Sequence, residues 1–170
     1  TLDLLLGEQG VEELGPRLSS RGATVVDVAG LVVCPGCIDL RTHLGEPGHE
    51  DRETVRTGTR AAAAGGFTAV CAMPGSDPVN DQAGSTHALL DRARVEGITR
   101  VHPVGALSRG LQGEELAEYG DLRDAGCVAV GDDERPVQSA RLLRRALEYA
   151  KAIDLVVIDY CEEPTLALKA

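Results

Sequence analysis

The 170-residue chain carries a formal net charge of -10 and is 43% hydrophobic, yet it contains one Phe, three Tyr and no Trp. This composition is typical of one globular domain with an aliphatic core, which suits buried parallel strands. The acidic balance, with no run of Lys or Arg, argues against binding to nucleic acid or an anionic membrane surface. No stretch approaches 18 consecutive apolar residues and no signal peptide is visible, so we expect a cytoplasmic protein without a membrane span.

Residues 1–35 alternate short apolar runs, LDLLL and ATVVDVAG, with turn residues such as Gly15-Pro16. This pattern predicts a small N-terminal β element.

Residues 36–170 alternate strand-like and helix-like segments. Strands are predicted within GLVVCPGCIDL, FTAVCAM, ITRVHPVGAL, CVAVG and LVVID. Helices are predicted within RETVRTGTRAAAAGG, STHALLDRARVEG, GEELAEYGDLRDAG and SARLLRRALEYAKAI. Regular alternation predicts parallel strands joined by right-handed crossovers, in an α/β barrel or a doubly wound sheet.

Two features favour the barrel. The strands are evenly spaced, and polar residues gather where strands end, as at residues 39–43, 74–77, 132–133 and 159–162. Barrels keep their functional sites at that face, and a complete one needs eight strands and about 250 residues. With about five strands, we expect an incomplete TIM-type barrel, which is either a fragment of a longer protein or needs a partner or second copy over its open edges.

The segment CIDLRTHLGEPGHED, residues 37–51, is the first candidate for chemistry. In a strand, side chains at i and i+2 share a face, so two His at that spacing could bind one metal ion. Arg41 and His43 occupy those two places here. A guanidinium stays charged in proteins and has no acceptor atom, so Arg41 is not a metal ligand.

These words resemble the dihydroorotase family of cyclic amidohydrolases. The stretch from PGCIDLRTHLGEPG through AAAAGGFT to MPGSDPV is similar to the family pattern P-G-F-I-D-x-H-x-H-L-R-E-P-G, A-A-x-G-G-F-T and M-P-N-T. Further on, RRALEYAK and DYCEE are similar to R-x-A-L-E-Y-A and D-H-C-E-D. The resemblance runs from about residue 10 to residue 165 and implies an amidohydrolase (β/α) barrel.

The resemblance also implies a zinc site, and several of its positions are changed. The family's first two metal-binding His correspond to Arg41 and His43, and its metal-associated Asp corresponds to Asp133, which Glu134 follows in place of Gly. A further ligand His corresponds to Tyr160. A phenol would bind metal only as phenolate, which its pKa near 10 disfavours, so we expect zinc to be absent or weakly bound and His43 and Asp133 to be vestigial.

The implied substrate positions are changed as well. The Arg of H-x-H-L-R, which resembles a clamp for the substrate carboxylate, is Gly45, and the Asn of M-P-N is Gly75. In an intact relative, zinc would activate a water that attacks an amide carbon of dihydroorotate. The motifs that carry ligand and substrate residues are changed, whereas the motifs that form the core are retained. This distribution predicts a protein that keeps the fold but does not hydrolyse dihydroorotate. Restoring activity is expected to need Gly45→Arg and Gly75→Asn in addition to the lost His residues.

Cys34 and Cys37 have C-x-x-C spacing, which is compatible with a redox pair or half of a zinc knuckle. No second C-x-x-C completes four ligands, and Cys37 stands at an apolar position of the family pattern, so a packing role is favoured.

The sequence thus leaves three hypotheses. The first is a dihydroorotase-like pseudoenzyme of pyrimidine biosynthesis that acts as a homo-oligomer or as a structural partner of aspartate transcarbamoylase, which the resemblance suggests. The second is an active zinc dihydroorotase, and the third is a thiol redox protein that uses Cys34 and Cys37.

Overall fold

The structure is a computed structural model that describes residues 2–163 and Leu166. The chain divides into two compact units, residues 1–35 and 36–170. The remaining residues, which include the end of the second predicted domain, lie outside the description. Among the described helices, none has the length and apolarity that crossing a membrane requires.

The first unit contains a β-hairpin followed by an irregular segment. Strand β1 (Asp3–Gly7) pairs antiparallel with β2 (Gly10–Gly15), and Gly10 opens β2 at a φ of 128°, which glycine tolerates. The predicted small β element is thus confirmed as a hairpin, but the apolar run ATVVDVAG is not part of it: that segment is irregular, and Val25 and Val26 are 76% and 73% exposed. A strand needs a neighbour for its backbone hydrogen bonds, and no described strand pairs with this segment.

The second unit forms the five predicted strands and the four predicted helices. The strands are β3 (Cys37–Thr42), β4 (Phe67–Ala72), β5 (Arg100–Gly105), β6 (Ala129–Val130) and β7 (Val156–Val157). The helices are α1 (Val55–Ala64), α2 (Ala83–Glu96), α3 (Tyr119–Ala125) and α4 (Ala140–Ala152). Helix α3 begins later than its sequence suggests, because the preceding residues include an antiparallel bridge between Ser108 and Leu116.

The five strands are all parallel, in the order β3-β4-β5-β6-β7, and form a curled half-barrel sheet. This confirms the predicted incomplete (β/α) barrel. Sequence-adjacent strands are neighbours in the sheet, and each crossover between them contains one α-helix; the crossover from β5 to β6 also contains a short 3-10 helix, Arg109–Leu111.

Local sequence explains where the helices begin and what they bury. Thr54 and Thr57 form a capping box at the start of α1, and Ser139 caps α4 by accepting a hydrogen bond from the Leu142 N–H. Aliphatic side chains from the helices pack on the sheet in separate clusters, one of them around Val55 and Val70, both fully buried. These clusters hold the strands in place and thereby fix the loops at their carboxyl ends.

Candidate site at the carboxyl ends of the strands

Polar and charged side chains at the carboxyl ends of β3 and β6 meet across the sheet. The His43 Nε2 lies 2.6 Å from one carboxylate oxygen of Asp133, and a guanidinium nitrogen of Arg41 lies 3.3 Å from the other. The same guanidinium nitrogen donates to Glu134 at 2.8 Å. Two of the positions that the sequence associates with metal, His43 and Asp133, are therefore together. Arg41 is bonded both to Asp133 and to Glu134.

The charges in this group stabilise one another. The hydrogen bond to Glu134 is the main cause that raises the pKa of Arg41 above its usual value, and the bond to Arg41 lowers the pKa of Glu134. The Asp133 side chain is only 10% exposed, whereas those of Arg41 and Glu134 are 45% and 69% exposed. Asp133 is thus a largely buried carboxylate whose described partners are a guanidinium and an imidazole.

The neighbouring Asp132 has a different, structural role. Its carboxylate accepts hydrogen bonds from the Ser108 N–H at 2.8 Å and from the Ser108 hydroxyl, and burial raises its pKa. The Ser108 hydroxyl oxygen in turn accepts from the Gly113 N–H at 2.7 Å. Asp132 therefore fastens the loop after β5 to the end of β6.

Tyr160 follows β7 and is 42% exposed. A hydrogen bond to Glu162 is the main cause that raises its pKa, and the negative charge of Glu134 acts in the same direction. A raised pKa keeps the phenol protonated at neutral pH. Tyr160 therefore lies within electrostatic reach of Arg41 and Glu134 but is a poor metal donor.

The two glycines at the implied substrate positions line the same cleft, of about 250 Å³, as His43 and Asp133. Gly75 leaves room for a side chain only if the Asp133 carboxylate shifts, since an added Cβ would lie 3.0 Å from one of its oxygens. Gly45 does not: its φ is +67°, and an added Cβ would lie 2.3 Å from the Glu53 carbonyl oxygen. The expectation that Gly45→Arg restores a substrate clamp stays a prediction, and it requires the loop to change conformation first.

The residues present do not fit a catalytic zinc ion. Such a site needs three protein ligands with an open position, and at the positions that the family pattern associates with metal the donors present are His43 and Asp133, which are hydrogen-bonded to each other. A permanent cation, Arg41, is bonded to the same carboxylate. Throughout residues 2–163 there is no group of three or more His, Cys, Asp or Glu side chains arranged to hold a metal ion.

The cysteines at the junction of the two units are free thiols. Cys34 and Cys37 are both exposed and form no disulfide. Cys37, the first residue of the edge strand β3, is exposed among the described residues, and the packing role that the sequence favours for it stays a prediction.

Two contributors were not identified as such from the sequence. From the sequence, Glu134 is only a departure from the family pattern. Its bond to Arg41 could have been inferred, because a cation and an anion that the pattern lacks stand in two motifs whose strands end at the same face of a barrel. Ser108 gave no signal, because a serine that binds a carboxylate across 24 residues looks like any loop serine.

A parallel half-barrel with charged side chains at the carboxyl ends of its strands is the arrangement of a (β/α)-barrel domain, and comparison with known proteins agrees. The structure is similar to L-hydantoinase (dihydropyrimidinase) from Arthrobacter aurescens, with a TM-score of 0.72 and 18% identity over 92% of this chain and 36% of that one. At that identity, the likeness describes the fold alone.

Residues 30–170 match the family described as Dihydro-orotase-like. The dihydroorotase of Geobacter sulfurreducens is 52% identical over 97% of this chain and 39% of its own length. Those of Desulforapulum autotrophicum and Anaeromyxobacter sp. (strain K) are 56% and 58% identical over 86% and 85% of this chain. The chain belongs to the dihydroorotase-like family, and it spans less than two fifths of the length of these relatives.

Proposed function

We propose that this chain is part of a cytoplasmic dihydroorotase-like protein of pyrimidine biosynthesis that does not hydrolyse dihydroorotate and serves as a structural partner. The observation that carries the proposal is the bond from Arg41 to Asp133. The family pattern has a metal-binding imidazole at that place, and a guanidinium there repels a divalent ion while it occupies the carboxylate that would bind one.

The other changed positions support the same conclusion. Tyr160 replaces an imidazole with a phenol whose pKa is raised. Gly45 and Gly75 provide no side chain to the cleft, and the backbone at Gly45 excludes one. Ligand and substrate positions are thus changed together, while the helices and strands that form the core are intact.

The second candidate is an active zinc dihydroorotase, and the relatives favour it, since proteins 52% to 58% identical to this chain carry that name. This function would require Arg41 to leave Asp133 and would require zinc ligands other than those of the family pattern. The hypothesis of an active enzyme therefore predicts that zinc binds tightly in spite of Arg41.

Zinc content and turnover of the full-length protein separate the two functions. We expect well under one zinc per chain by elemental analysis after dialysis against zinc-containing buffer, and no hydrolysis of dihydroorotate. Near-stoichiometric zinc together with turnover contradicts the proposal. As a matched variant, the double substitution Arg41→His and Tyr160→His is expected to raise zinc affinity while turnover stays low, because Gly45 and Gly75 are unchanged. Full turnover of this variant would show that the two glycine positions are not limiting.

The partner is tested by mixing the full-length protein with aspartate transcarbamoylase of the same organism and measuring mass by light scattering during size exclusion. We expect a complex heavier than either protein alone. Separate elution, with the dihydroorotase-like chain at the mass of a homo-oligomer, contradicts the hetero-complex and leaves self-association as the assembly.

A further inference from the structure

Arg41 connects two strands that are not neighbours. The sheet order places β4 and β5 between β3, which carries Arg41, and β6, which Asp133 follows. Neighbouring strands lie about 4.8 Å apart, so in a flat sheet the ends of β3 and β6 would be roughly 14 Å apart. The contacts of 3.3 Å from Arg41 and 2.6 Å from His43 to Asp133 therefore run across the concave side of a curled sheet.

The carboxylate at the far end of this bridge needs a cation. Asp133 is 10% exposed, and an unpaired carboxylate with so little access to water is costly. Its backbone also has a φ of +57°, an uncommon conformation for a residue other than glycine. The turn after β6 thus holds Asp133 in a defined position, and a positive partner is what makes that position favourable.

Three of the departures from the family pattern lie close to one another. Arg41 stands where the pattern has His, Glu134 stands where it has Gly, and these two side chains are bonded at 2.8 Å. Tyr160, the third departure, is within electrostatic reach of both. A new cation next to a new anion is what replacement of one interaction by another produces, and it differs from the scattered changes that simple decay of a site would leave.

We propose that Arg41 is a built-in structural cation: its guanidinium ties the end of β3 to the turn after β6 and so holds this end of the half-barrel without a divalent ion. The inference goes beyond the proposed function, because it concerns how the fold is held together and stays the same whatever the partner is. It predicts a protein whose stability is independent of zinc and dependent on the charge at residue 41.

The test is thermal unfolding of the full-length protein, followed by circular dichroism in EDTA and in excess zinc. Arg41→Met is expected to lower the midpoint by about 3–6 °C in EDTA, because Asp133 loses its guanidinium partner. Arg144→Met is the matched control: Arg144 bonds Glu148 at 2.9 Å, but both side chains are more than 60% exposed, so a change within about 1 °C is expected. Arg41→Lys keeps the charge and should retain most of the wild-type midpoint.

The zinc dependence of the midpoint tests whether the guanidinium replaces a metal ion. The wild-type midpoint should be the same in EDTA and in zinc, whereas Arg41→His should have a lower midpoint in EDTA that rises when zinc is added. An Arg41→Met midpoint no lower than that of Arg144→Met overturns the proposal, as does a wild-type midpoint that rises with zinc as much as that of Arg41→His. Neither midpoint depends on turnover, so the test is independent of the proposed function. It would distinguish an inactive protein that lacks this structural bridge from an active protein that has it.

Discussion

The backbone at Gly45 provides a sharp test of how the loop after β3 is built. In Gly45→Ala the new Cβ would lie 2.3 Å from the Glu53 carbonyl oxygen and 2.9 Å from the His49 carbonyl oxygen. Both are backbone atoms, which cannot swing aside as the end of a side chain can. The φ of +67° adds a second cost, because a residue with a Cβ is disfavoured in the left-handed region.

The two costs have different sizes and can be separated. The left-handed backbone costs about 1–2 kcal/mol for a residue with a Cβ. Forcing an atom into occupied space typically costs a further 1–3 kcal/mol or so. Gly45→Ala is therefore expected to lower the free energy of unfolding by about 2–5 kcal/mol.

Two other glycines are matched controls. Gly66 has a φ of +82° with nothing within 4 Å of an added Cβ, so Gly66→Ala should show the backbone cost alone. Gly84 lies within α2 with open space and no positive φ, so Gly84→Ala should stabilise the protein by about 0.5–1 kcal/mol. Urea unfolding followed by circular dichroism measures all three. If Gly45→Ala costs no more than Gly66→Ala, the loop is not packed as described, and Gly45→Arg becomes a realistic route to the lost clamp.

Two further outcomes test the core. Thr59→Val removes a buried hydroxyl that donates to the Val55 carbonyl at 2.7 Å and accepts from the Ile98 N–H at 3.2 Å. We expect this change to lower the free energy of unfolding, measured in urea, by about 1–3 kcal/mol. The control Thr68→Val, at an exposed strand position, should change it by less than about 0.5 kcal/mol. Burial raises the pKa of the Cys127 thiol, so the unfolded chain loses this proton first, and stability falls as pH rises from the ordinary thiol pKa toward the raised one. Between pH 8 and 10, Cys127→Ala should therefore lose less stability than the wild type, by up to about 1.4 kcal/mol per pH unit. Parallel plots of stability against pH for the two proteins would contradict a raised pKa at Cys127.

The order of elements was predictable because it depends on local sequence. Each of the five strands comes from a short apolar run and each helix from a longer periodic one, and the parallel arrangement follows from their alternation. The segment with Val25 and Val26 shows the limit. Its β-branched residues favour a strand, but the paired neighbour that a strand needs is not encoded in the same segment.

The sequence predicts which residues lie at the site but not which hydrogen bonds they form. Spacing alone brings Arg41 and His43 to the end of β3, and resemblance adds Asp133. That Arg41 bonds Asp133 and Glu134 depends on the curl of the sheet and on the left-handed conformation at Asp133, neither of which a linear pattern contains. The obstruction at Gly45 has the same origin, because it involves carbonyl groups four and eight residues away whose positions follow from the folded loop.

The separation between core and strand ends explains how a site of this kind can change while the fold is kept. The main clusters of buried aliphatic side chains are built around residues such as Val55, Val70 and Leu122, and none of them includes Arg41, Asp133 or Tyr160. Replacing an imidazole at the strand ends therefore leaves the apolar contacts that dominate stability untouched. The remaining requirement is electrostatic, since Asp133 still needs a positive partner with little help from water. A guanidinium supplied by β3 meets that requirement within the chain itself, and this makes the loss of a metal ligand compatible with a stable half-barrel.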